Sequence, residues 1–221
     1  MTLESAQTSG LGGASGTLAA LVAADGSAGH PFHARLLRGT ASMRDLADVV
    51  HQLCILHARH PDVIEQALGH STQPASAAWL AVAATGFAAE RAHIVRLVAA
   101  VGPLPSTPGQ AASEAAVAGQ RHALDMLAQS DRGGCADGMA LALALDWPAI
   151  RQVMDVIADR LGLDLPGLAI PPRFETATIV DAIAERLLVE RAMLFGAQQM
   201  LAQHRGLWDL LEARASARDD N

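Results

Sequence analysis

Glu90 sits near the middle of an apolar helical stripe that includes Trp79, Leu80, Val82, Phe87, Ile94, Leu97, Val98 and Val101. A carboxylate there needs a partner, because an ionised group loses several kcal/mol of solvation on burial unless it is paired or bound to a metal. His93 follows at i+3 and rises from the same helical face. Three further segments each aim an ionisable side chain inward at about 100° per residue. His57 continues the stripe Leu46, Val50, Leu53, and Asp146 takes a core position in Met139, Leu143, Asp146, Ile150, Val153, Ile157. Glu190 lies on the axis of Ile179, Ile183, Leu187, Glu190, Leu194, Ala197, Leu201, Trp208, with His204 at its border. Carboxylates and imidazoles converging inside a helical protein suit hard or borderline divalent metals, iron and manganese above all. Glu90, His93, Asp146, Glu190, His57 and His204 are therefore the candidate metal ligands.

These residues depend on long helices to bring them together, and Pro and Gly mark where those helices stop. Breakers fall at Gly26 to Pro31, Pro61, Gly69 to Pro74, Gly102 to Pro108, Gly133-Gly134 and Pro166 to Pro172. The intervals predict helices over 17–24, 32–38, 42–60, 62–68, 75–101, 109–129, 136–161 and 175–214. Pro148 is expected to kink the helix that contains it, and Gly206 to mark a break in the last. No segment has the alternation of a strand. The expected fold is all-α, an antiparallel helical bundle of about six helices. Residues 1–16, rich in Gly, Ser, Ala and Thr, are expected to form a flexible N-terminal segment ahead of a single helical domain over 17–221.

Composition narrows the function classes. The chain has 221 residues, 51% of them apolar, with 3% aromatic and no Tyr, a balance that favours helices over sheets. All 16 basic side chains are Arg, against 23 acids and a formal net charge of -7, and no basic block forms a polyanion-binding stripe. Nucleic acid is thus not an expected partner. No apolar run is long enough to span a bilayer and the N-terminus lacks the pattern of a secretory signal, so no membrane partner and a cytoplasmic location are expected. Cys54 and Cys135 have neither zinc nor redox spacing. Gly10-Leu11-Gly12-Gly13 follows no strand, the chain has no Lys to reach a phosphate, and Gly-x-Ser-x-Gly is absent.

Glu90-Arg91-Ala92-His93, with Asp146 and Glu190 on other helices, loosely resembles the ferritin-like carboxylate-bridged di-metal proteins. That resemblance implies a bundle core holding iron or manganese and an oxidoreductase activity. The pattern is incomplete, since the family carries two Glu-x-x-His motifs and here Met193 stands three residues after Glu190. The reading favoured by the residues themselves is a structural ion-pair network in a non-enzymatic protein, because Arg91, Arg151, Arg186 and Arg191 lie within a turn of the inward carboxylates. Such a protein could be a homo-oligomer joined through the Ala-rich stretch Ala111 to Ala118. A third reading is a helical bundle that binds a small molecule beside Glu90. Asp48-Val49-Val50-His51 repeats the acid-x-x-His spacing and is expected to be a solvated surface pair.

Overall fold

The computed structural model describes residues 13–219. Among these the chain is all-α, with nine α-helices and no strand: α1 (Ala14–Asp25), α2 (Pro31–Leu37), α3 (Met43–His57), α4 (Val63–His70), α5 (Pro74–Val101), α6 (Gln110–Ala128), α7 (Cys135–Leu161), α8 (Arg173–Ile183) and α9 (Leu187–Asp219). A 3-10 turn, Ser27–Gly29, joins α1 to α2. No helix of the described residues is long and apolar enough to cross a membrane. The first twelve residues of the expected flexible segment lie outside the described residues, and α1 begins at Ala14, within that segment.

Local chemistry explains several boundaries. His30 caps α2 by accepting from the Phe32 N–H at its Nδ1, with Pro31 pre-set for the first turn. Ser42 caps α3 through the Asp45 N–H, and Asp62 with Glu65 forms a reciprocal capping box on α4. Helix α7 continues through Pro148.

The last long helix departs from expectation. It does not break at Gly206, which lies inside α9, but between Ile183 and Leu187, where the sequence carries no Gly or Pro. Packing sets this break: α8 lies on α1, α5 and α7, whereas α9 makes its most extensive contact with α7. The Val189 and Glu190 N–H groups both bond the Arg186 carbonyl as the new helix starts. Because the stripe is cut here, its phase resets. Leu187 is exposed, Val189 and Met193 take the inward positions, and Glu190 is only half-buried.

Helix direction also differs from an all-antiparallel arrangement. Gly138 meets Met193 and Asp146 bonds His204, so contacts advance together along α7 and α9, which run parallel. The long crossover through α8 makes this possible. Helix α3 runs opposite to α9, since His57 meets His204 while Asp45 meets Arg218. The parallel contact is close because it is built on glycine. A Cβ at Gly138 would come within 1.9 Å of the Met193 carbonyl oxygen, and one at Gly196 within 2.1 Å of the Cys135 carbonyl oxygen.

Candidate functional site

The interior holds a continuous polar chain on four elements, the 3-10 turn, α7, α9 and α3. Asp146 of α7 accepts from the Ser27 backbone N–H at 2.7 Å and from the Ser27 hydroxyl at 2.5 Å. On the other side it accepts from His204 Nδ1 of α9 at 2.7 Å. His204 Nε2 then lies 3.0 Å from His57 Nε2 at the end of α3. All four residues are buried, His204 completely. Helix α7 can place Asp146 here because the turn after α1 passes so near that a Cβ at Gly26 would come within 2.7 Å of the carboxylate.

The proton inventory follows from the partners. An ionised carboxylate only accepts, so His204 Nδ1 carries a proton, and a single proton joins the two Nε2 atoms. Burial pushes the His57 imidazole well below its ordinary value, and the charge of His204 pushes it the same way. Burial works to raise the Asp146 carboxyl, but hydrogen bonds from His204 and Ser27 outweigh it and hold the group below the usual range. His57 Nδ1 is buried without a hydrogen-bond partner. Its ring stands edge-on to Phe87, Trp147 and His204, with centroids 5.8, 5.3 and 5.1 Å away.

Glu90 belongs to a second chain that adjoins the first at Trp147. Its Oε2 accepts from Trp147 Nε1 at 3.1 Å and its Oε1 from Arg151 Nη1 at 2.9 Å, both reaching from α7. The Ala169 N–H approaches Oε1 at 3.4 Å from the segment between α7 and α8. That segment also offers the Pro166 carbonyl to Arg151 Nη2, and Arg151 Nε donates to Asp155. His93 Nδ1 lies 3.8 Å from Glu90 Oε1, and burial lowers its imidazole while the neighbouring Glu90 charge opposes the shift.

The six candidate ligands therefore divide. Glu90 and His93 share one chain, Asp146, His204 and His57 form the other, and Glu190 joins neither. It lies fourteen residues before His204 on α9, about 21 Å along the axis at 1.5 Å per residue. Among the described residues no group of three or more His, Cys, Asp or Glu side chains is arranged to hold a metal ion. The donor set is also wrong for one: Glu90 and Asp146 both face N–H and O–H donors, and a cation at Glu90 would have to displace the Arg151 guanidinium. The residues present do not fit a shared di-metal centre. Nor does Glu90 line any of the main surface recesses.

Of the arginines singled out by position, Arg151 pairs with Glu90, Arg91 with Asp62 and Glu65, and Arg186 with Gln73. His57, at the end of α3, meets another imidazole.

Asp48 is not a surface residue. It is fully buried and takes three hydrogen bonds from Arg214 and one from Arg218, while Arg218 also reaches Asp45 at 2.7 Å. Thr107 completes the cluster by accepting from both arginines. His51 instead turns to the Gly102 carbonyl at 2.9 Å. The polar face of α3 is covered by the C-terminal part of α9, whose Arg214 and Arg218 are spaced i, i+4 to meet Asp48 and Asp45. That spacing was the one available signal for this cluster. Ser27, Thr107 and Ala169 carried none.

No curated protein and no solved structure matches this chain. A family model matches residues 22–219, from within α1 to the end of α9. Every residue of both polar chains and of the Asp48 cluster falls inside that span, and the chain belongs to DUF6975, a family of unknown function.

Proposed function

We propose that this is a non-enzymatic helical protein whose buried charges serve to fix how its helices pack. The observation that carries this reading is the saturation of the inward carboxylates by donors of the protein itself. Glu90 is held by Trp147 and Arg151, Asp146 by Ser27 and His204, and Asp48 by Arg214 and Arg218. Each set ties helices distant in sequence: α5 to α7, the turn after α1 to α7 and α9, and α3 to α9. Buried carboxylates held in this way serve here to specify one packing over alternatives more than to add net stability. The exposed alanines of α6 around Ala115 and Ala116 are the surface for self-association in this reading.

Elemental analysis of protein purified without chelators tests it against the metal-binding alternative. The expected result is no stoichiometric iron, manganese or zinc, before or after aerobic and anaerobic reconstitution. Stoichiometric metal in wild type that disappears in Glu90→Ala would overturn the structural reading.

A further inference from the structure

A cavity of about 160 Å³ lies between α1, α7 and α8, and no residue of either buried polar chain lines it. Its walls have a regular origin. Helix α1 contributes Ser15, Ala19 and Val22, and α8 contributes Arg173, Ala177 and Val180, each an i, i+4, i+7 face, with Leu145 of α7 as the third wall. The space exists because the central residue of both faces is alanine.

The two ends of the cavity are chemically different. Ser15 at the start of α1 donates its N–H and hydroxyl to Asp181 near the end of α8, at 3.0 and 2.9 Å, so the helices run in opposite directions. Arg173 therefore stands at the Val22 end. Among the described residues its guanidinium takes part in no hydrogen bond or ion pair, while the carboxylate at the opposite end is already engaged. An anion is repelled from the Asp181 end and attracted to the Arg173 end, and the walls between are almost wholly apolar.

We infer that this cavity binds a small organic acid, with its apolar body between Ala19 and Ala177 and its carboxylate paired with Arg173. Size limits the body. A dry cavity of about 150 Å³ accommodates a benzene ring, so the pocket takes a single ring or a short branched alkyl group and excludes a long acyl chain. A planar guanidinium suits a carboxylate because it can donate two parallel hydrogen bonds.

Phenylacetate, with benzyl alcohol as its neutral counterpart, provides the test by isothermal titration calorimetry on the full chain. Wild type should bind phenylacetate saturably at millimolar concentrations and benzyl alcohol about tenfold or more weakly, as expected for loss of a charge-assisted contact. Arg173→Gln should weaken phenylacetate by a similar factor, and Ala177→Trp, which fills the space, should abolish binding. Ala19→Leu is the milder filling variant if Ala177→Trp does not fold by circular dichroism, and it should also abolish binding. The inference is overturned if wild type binds neither phenylacetate nor hexanoate, if the filled variant that folds still binds, or if Arg173→Gln binds as tightly as wild type.

Discussion

At the scale of single residues, the protein buries Glu90, Asp146 and Asp48 and supplies each carboxylate with donors of its own. The consequence is asymmetric: removing one member of a buried pair leaves the other uncompensated, which costs about 3–5 kcal/mol. Glu90→Ala orphans the Arg151 Nη1 and Trp147 Nε1 donors, so its unfolding free energy from urea titration should fall by an amount in that range. Glu90→Gln keeps an acceptor for Trp147 and a side chain of the same shape, and should lose less. Equal losses from the two substitutions would show that the charge on Glu90, which both remove, accounts for the whole effect and its volume for none of it. Asp146→Asn should be harsher than its size suggests, because the amide cannot accept at both oxygen positions from Ser27 and His204.

Between elements, the α7–α9 contact depends on two absent side chains. Alanine is favoured over glycine in a helix interior by about 0.8–1 kcal/mol, so on propensity alone Gly138→Ala and Gly196→Ala would stabilise α7 and α9. Each new methyl would instead meet a backbone carbonyl oxygen of the facing helix well inside van der Waals distance. Backbone cannot rotate away as a flexible side chain can, so each substitution should give a net loss of about 1–3 kcal/mol by denaturant titration. Since Asp146 and His204 lie further along the same contact, the helices cannot separate there without stretching that hydrogen bond. A neutral or stabilised Gly138→Ala would count against the close parallel packing.

For the molecule as a whole, the chain of Asp146, His204 and His57 predicts how stability depends on pH. The native state keeps His57 neutral below its ordinary value of 6.5, whereas the unfolded chain takes up a proton near that pH. Below pH 6.5 the unfolded state therefore binds more protons, and stability falls as pH falls, by about 1.4 kcal/mol per pH unit for one proton of difference. The loss continues down to the depressed native value of His57. Asp146, also held low, adds a loss of the same sign below its ordinary value of 3.8. Unfolding free energies measured by urea titration from pH 7.5 to 5 should show this decline, and His57→Phe should flatten it. A wild-type profile that is level over that range would refute the buried neutral imidazole.

The amino-acid sequence by itself determined that the chain is helical, placed most of its breaks through Pro and Gly, and marked Glu90, Asp146 and His57 as inward-facing with His204 at the border of its stripe, because helical periodicity is a local property. It put Arg151 within a turn of Asp146, whereas the inward carboxylate that Arg151 pairs with is Glu90 of α5. Three matters were decided only by tertiary structure. The break before Leu187 has no residue signal, since it follows from α8 and α9 packing on different partners, and it carries Glu190 out of the core. Asp48 reads as a surface acid on α3 alone, because the arginines that bury it lie more than 160 residues away on α9. The division of the six candidates into two chains depends on which helix faces run parallel and at what height, and periodicity gives each helix a face without giving that face a neighbour.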